Sequence, residues 1–187
     1  MSQDHFAVIS ASVREGARSP RVARYMERSI IATGATCDRI ELAELGFPVF
    51  TERLRLQKQP DTQVLAFAER FRRAQGVIIV TPEYNGGYPA ALKNVVDLLY
   101  DEWHRKPVAI VTVSEGSFGG TQVITSLQFT LWKMRAWTAT AQMPVPNVED
   151  AFAEDGTPAD PDRWARRSAP MLNELGWCIE ALRRMQG

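Results

Sequence analysis

Val77-Ile78-Ile79-Val80-Thr81-Pro82-Glu83-Tyr84-Asn85-Gly86-Gly87-Tyr88-Pro89 is the stretch that decides the fold. Its first five residues are all β-branched, with no apolar/polar alternation. Such a run reads as a strand buried on both faces, and a strand of that kind belongs to a parallel sheet covered by helices above and below. The run passes directly into a loop with two glycines, two prolines and two tyrosines. Glycine lets backbone approach a flat ligand, proline restricts the loop and tyrosine supplies planar apolar surface. Ligands of open α/β sheets bind beyond the carboxyl ends of the strands, where this loop must lie.

Working outward, similar unbroken runs occupy residues 6–10 and 108–113, with weaker strand candidates at 36–42 and 138–143. Helical spacing separates them: Val22, Tyr25, Met26 and Ile30; Val64, Leu65, Ala68 and Phe71; Val123, Ile124, Leu127, Leu131 and Met134. Each stripe covers one sheet face. A last helix is expected over residues 162–185, with Trp164, Met171, Leu175 and Cys178 inward. Ser19-Pro20 reads as a capping hydroxyl followed by a first-turn proline, Gly34 as that helix's stop, and Asp61 as the cap of the second helix. Residues 43–60 and 144–161 read as long loops. Alternating β and α implies right-handed crossovers with helices on both faces. The expectation is one α/β domain over residues 1–187, a five-stranded parallel sheet in the order 2-1-3-4-5.

Composition limits the function classes. The chain has 187 residues, 45% of them hydrophobic, with 22 basic against 22 acidic side chains, so no polyanion or nucleic-acid partner is indicated. Cys37 and Cys178 stand in no metal-binding or disulfide-framework spacing, which suggests a reducing cytoplasm and no metal. The amino-terminal stretch is too short for a secretory core, and no apolar run approaches the ~18 residues of a membrane span, so no membrane association is expected.

Two further loops share the carboxyl edge. The first, Ser10-Ala11-Ser12-Val13-Arg14-Glu15-Gly16-Ala17-Arg18-Ser19, runs into a helix amino terminus and offers hydroxyls, two guanidinium groups and backbone N–H groups. That set suits a phosphate dianion. It contains neither dinucleotide nor P-loop glycine spacing, so a terminal monophosphate fits best. The second, Ser114-Glu115-Gly116-Ser117-Phe118-Gly119-Gly120, is a weak signal that gains weight from its neighbours.

These residues together resemble the NADPH-dependent FMN reductase family of flavodoxin-like proteins, which includes quinone, azo-dye and chromate reductases. The resemblance rests on Ser12-Val13-Arg14 with Arg18 and Ser19, on Thr81-Pro82-Glu83-Tyr84-Asn85 continuing to Pro89, Leu92-Lys93-Asn94 and Asp97, and on Gly119-Gly120. It covers roughly residues 5–145. It implies a flavodoxin-like fold in which Ser12, Arg14, Arg18 and Ser19 grip the FMN phosphate. Pro82, Glu83, Tyr84 and Asn85 would line the isoalloxazine, and Ser114, Gly116 and Ser117 its pyrimidine side. Tyr84 and Tyr88 would shape the substrate pocket. NADPH or NADH would deliver hydride to flavin N5, and a quinone, free flavin, azo dye or metal oxyanion would take the electrons in a ping-pong cycle, with no obligatory catalytic acid or base. Two departures stand out: Ala11 replaces a usual glycine, and Glu115 places a carboxylate where small residues are commoner, so it is expected to face solvent.

His5 and His104 lack companions for a triad or metal role, and Asp97 reads equally well as structural. A flavodoxin-type electron carrier without its own nicotinamide oxidation is the alternative reading; such carriers are acidic, whereas this chain is neutral. A response-regulator-like module would need acids where Ser10 and Thr81 stand. A homodimer or a tetramer of dimers is expected, with Leu98, Leu99, Tyr100, Phe129 and Trp132 as surplus apolar surface.

Overall fold

The computed structural model describes residues 4–186. Five parallel pairings build a sheet in the order β2-β1-β3-β4-β5, with a sixth strand also on β4. The strands are β1 (His5–Ser10), β2 (Thr36–Glu41), β3 (Gly76–Pro82), β4 (Pro107–Val113), β5 (Trp137–Thr138) and β6 (Met143–Val145). The helices are α1 (Ser19–Ala32), α2 (Leu42–Leu45), α3 (Thr62–Arg73), α4 (Ala90–Leu98), α5 (Gln122–Lys133), α6 (Val148–Ala151) and α7 (Pro161–Gln186).

The unbroken apolar runs serve two cores at once. Val77 and Ile79 of β3 face one side with Phe67 and Phe71 of α3, Leu92 and Val96 of α4, and Leu127 and Leu131 of α5. Ile78 and Val80 face the other, with Val22, Met26 and Ile30 of α1 and Trp164, Met171 and Leu175 of α7. Period-two alternation therefore sorts one strand's side chains into two layers. Asp61 Oδ1 accepts from the Gln63 amide at 2.7 Å, the expected cap of α3. Gly76 packs closely on α7, where a Cβ would lie 2.8 Å from Ile179 Cδ1 and would oblige that side chain to shift.

Four expectations change. The strand foreseen over 138–143 is two short strands along one edge of β4: β5 pairs with Pro107 and Val108, and β6 with Val111, Thr112 and Val113. The ladder breaks because a carboxylate takes over the backbone donors: Glu174 of α7 accepts from the amides of Thr140 at 2.8 Å and Ala141 at 2.7 Å. The supposed loops 43–60 and 144–161 contain short elements, α2 with a 3-10 turn at Leu54–Leu56, and β6 with α6. Ser19 does not cap α1; Arg18 holds the cap position without a side-chain bond, and Ser19 is the first helical residue. Finally, Leu98 and Leu99 are buried in the core, and Tyr100 lies between the Arg53 and Arg55 guanidinium groups, 4.4 and 4.5 Å from its ring centroid. Phe129 and Trp132 alone of the five remain as exposed apolar surface, at 61% and 66%.

Glu174 offers a direct test of the strand break. Its carboxyl is held below the usual carboxylate range, first by the Thr140 amide and hydroxyl and then by the Ala141 amide. A depressed folded-state value gives stability that is present above the unfolded value and lost as pH falls through the folded one. Glu174→Ala is expected to cost about 1–2 kcal/mol at neutral pH, discounted for solvent exposure. Denaturant unfolding of both proteins should show the gap closing below about pH 4.5, the ordinary value for this group. A gap independent of pH would mean that the bonds to Glu174 do not depend on its charge.

Candidate functional site: a cleft at the carboxyl edge

β1, β3 and β4 end side by side, and the three loops leaving them meet. A cleft of about 210 Å³ is lined by Ser12, Arg14, Gly16, Ala17, Arg18 and Ser19 from the first loop and Pro82, Glu83 and Tyr84 from the second. Val113, Ser114, Glu115 and Val148 close it. A larger cavity of about 460 Å³ opens at the opposite edge, among the end of α3, residues 102–107 and α7, and holds none of these loops.

The first loop turns tightly. The Ala17 amide bonds to Arg14 O at 3.2 Å, and Gly16 takes a φ of +70°. Ser12 is buried, and its Oγ lies 2.6 Å from the Tyr84 hydroxyl, while the Arg14 guanidinium sits 5.7 Å from the Tyr84 ring centroid. Arg18 donates through Nε to Glu149 Oε1 at 2.6 Å. Ser19 is 1% exposed, and its Oγ has no hydrogen-bond partner among the described residues. A buried hydroxyl in that condition at a cleft wall is a donor awaiting an acceptor. No acidic side chain lies in the first turn of α1, so no carboxylate of the helix itself opposes its positive end.

The second loop is a hairpin-like turn. Tyr84 and Gly87 exchange backbone bonds at 2.8 and 3.1 Å around Asn85 and Gly86, both with positive φ (54° and 80°), as a type I′ turn requires. Glu83 borders the cleft but spends Oε2 on the Gln122 amide at 3.1 Å, tying this loop to the start of α5. Tyr88 bonds its hydroxyl to Thr130 at 2.8 Å and packs against the core, so it lies apart from Tyr84.

The third loop is pinned from both ends. Thr112 Oγ1 donates to Gly119 O at 2.6 Å, and Ser114 Oγ to Gly116 O at 2.9 Å. Gly119 and Gly120 take φ of +64° and +72°; a Cβ on Gly119 would lie 3.0 Å from both Pro144 Cβ and Pro146 N. Glycine is demanded there by both conformation and space. Glu115 borders the cleft and is exposed.

The fold thus brings Ser12, Arg14, Arg18, Ser19, Pro82, Glu83, Tyr84 and Ser114 to one cleft, whereas Asn85, Tyr88, Gly116 and Ser117 are not among its walls. Val113, Val148 and the pairing with Glu149 went unforeseen. No local signal marks Glu149, which is 131 residues from Arg18 in the chain. The donor set fits a phosphate monoester: serine hydroxyls, one of them unpartnered, and two guanidinium groups beside a helix amino terminus.

Comparison with known proteins agrees. The description of the NADPH-dependent FMN reductase family matches residues 5–150. An NAD(P)H-dependent FMN reductase of Saccharomyces cerevisiae is 30% identical over 193 residues, covering 94% of this chain and 97% of that protein. A quinone reductase of Pseudomonas putida is 33% identical over 120 residues, 61% of this chain and 62% of its own length. Among solved structures, the Paracoccus denitrificans flavoenzyme NAD(P)H:(acceptor) oxidoreductase superposes with a TM-score of 0.79 at 20% identity, over 95% of this chain and 98% of that one. A Pseudomonas aeruginosa flavodoxin superposes with a TM-score of 0.57 at 16% identity, over 94% and 99%. These two establish a flavodoxin-like fold. Fold, cleft and family match lead to one conclusion: the chain belongs to the NADPH-dependent FMN reductase family, oxidoreductases that use FMN with a reduced nicotinamide.

Proposed function

We propose that the chain is a single FMN-binding unit that passes electrons from NADPH or NADH to a small acceptor in the cytoplasm, the acceptor being a quinone, a free flavin, an azo dye or a metal oxyanion. One observation carries the placement of the cofactor: a buried, unpartnered Ser19 hydroxyl beside Ser12, Arg14 and Arg18 at the amino end of α1. Ser12, Arg14, Arg18 and Ser19 would hold the phosphate. Pro82, Glu83 and Tyr84 would border one edge of the ring and Ser114 the other, with Asn85, Gly116 and Ser117 of the same loops standing outside the cleft walls. The names of the yeast and Pseudomonas relatives support flavin and quinone as acceptors.

When bound, FMN supplies a centre that accepts a hydride and returns electrons in a separate half-reaction. The chain's own residues bind and orient. Glu83 links the second loop to the start of α5, just after the third. The turn at Asn85-Gly86 and the bond from the Tyr84 hydroxyl to Ser12 hold Tyr84 against the first loop.

Absorption and fluorescence titration test the cofactor: FMN should bind at micromolar concentration with quenched emission. Arg14→Ala removes one charge-assisted contact and should weaken FMN about ten- to a hundredfold while leaving riboflavin nearly unchanged. Equal weakening of both would place Arg14 away from the phosphate.

If the bound ring left one face open, nicotinamide and acceptor would use it in turn. Double-reciprocal plots at several acceptor concentrations should therefore be parallel, and acceptor in excess should inhibit against nicotinamide. Intersecting lines would require a second pocket and end the shared-face reading.

Phe129 and Trp132 on α5, with ring centroids 5.7 Å apart, support a homodimer or a tetramer of dimers that covers this face. Light scattering should report an assembly that Trp132→Glu dissociates; a monomer at all concentrations would refute it.

A further inference from the structure

Arg18 at the cap of α1 and Arg21 and Arg24 within it follow at three-residue intervals, and all three reach the same downstream segment. Arg21 donates to Phe152 O at 2.9 Å, and Arg24 to Glu154 O at 2.7 Å. Phe152 is fully buried, with ring centroids 5.1 Å from Tyr25 and 4.7 Å from Trp164. Gly156 packs so closely on α1 that a Cβ would lie 2.5 Å from Arg21 O. Residues 152–156 are thus fastened without help from Arg18. The backbone of Glu149, on the short α6 just before them and next to the cleft-wall residue Val148, is consequently anchored near the phosphate cleft without Arg18.

Arg18 meets that carboxylate directly, through Nε at 2.6 Å and through an ion pair from a terminal nitrogen to the same oxygen. The Nε carries a single hydrogen, and Glu149 takes it. Ser12 faces no such conflict, because one hydroxyl can accept from Tyr84 and donate to a phosphate at the same time. Arg14 makes no ion pair among the described residues. Of the two guanidinium groups in the cleft, one is therefore already paired with a carboxylate of the chain.

We propose that Glu149 sets how firmly the site retains FMN, by competing with the 5′-phosphate for the Arg18 donors and standing as a like charge beside it. The inference rests on the placement of the phosphate at Arg18 argued above. Arg18 and Glu149 are 33% and 51% exposed, so the charge acts through a largely aqueous medium. A like charge a few ångströms away in such a medium alters the affinity for an anion by roughly five- to tenfold. Glu149 makes the flavin exchangeable and narrows the preference for FMN over riboflavin.

The experiment is fluorescence titration of flavin-stripped full-length protein with FMN and with riboflavin, for the wild type, Glu149→Gln and Glu149→Ala. Stopped-flow dissociation and a salt series would accompany it. Glutamine keeps the carbonyl that accepts from Arg18 and removes the charge; alanine removes both. Competition requires both variants to bind FMN roughly five- to tenfold more tightly, mainly through slower release, with riboflavin unmoved and the gain shrinking at high salt. If Glu149 only orients Arg18, alanine weakens FMN and glutamine leaves it unchanged, and the proposal is overturned. Wild-type protein that binds FMN no better than riboflavin would remove the phosphate placement itself. Preference for FMN in the wild type without tightening in the variants would overturn the role of Glu149 alone. Thermal unfolding of the stripped proteins verifies folding, which the Arg21 and Arg24 contacts should preserve.

Discussion

A single backbone bond, from the Ala11 amide to Val80 O at 2.9 Å, carries the β1–β3 ladder one residue beyond the end of β1. It fixes where the first loop departs relative to the second. Between these strands the sheet reverses its winding: the chain crosses from β1 outward to β2, then returns past β1 to β3. Right-handed crossovers put α1 on one face and α3 on the other, so the loops diverge and leave a crevice. Ser12, Ser19 and Tyr84 meet there because Ser10 stands opposite Val80 in register, and slipping the ladder by one residue would turn every strand side chain to the wrong face.

Satisfaction of backbone groups organises the rest of the site. The third loop finds its partners in the chain after it: Ser114 N bonds to Val145 O, Val148 N to Ser114 O and Asn147 N to Gly116 O. β6 must therefore reach the carboxyl edge, although the edge strand has already been broken between residues 138 and 143. Glu174 accommodates this by accepting from the amides of Thr140 and Ala141, which leave the ladder there. The interruption lets the segment 143–156 close one side of the cleft and then pack across α1. The cleft's charge pattern follows from that route: among the described residues Arg18 is given an ion pair and Arg14 none.

Much of this architecture was legible in the sequence. Valine and isoleucine runs without polar alternation have one economical solution, burial on both faces, and β1, β3 and β4 appear within a residue or two of where those runs lie. Glycine and proline mark the turns through conformational limits that hold in any context, as with Asn85-Gly86 and Gly119-Gly120. Hydroxyls and arginines in a short strand-to-helix loop likewise carry their chemistry locally. Ser12, Arg14, Arg18 and Ser19 could be read together for that reason.

What the tertiary structure alone decided depends on pairs distant in the chain. The fifth strand reads as continuous because its residues suit a strand, and only the carboxylate of Glu174, more than 30 residues on, divides it. Leu98 and Leu99 look like surplus apolar surface until α4 and the strands close over them. Glu149 looks like an ordinary charge in an acidic stretch, and no periodicity or spacing links it to Arg18. Local composition determines what each residue can do; which groups then share a dielectric environment, a donor or an acceptor is settled by packing, and packing has no signature in sequence distance.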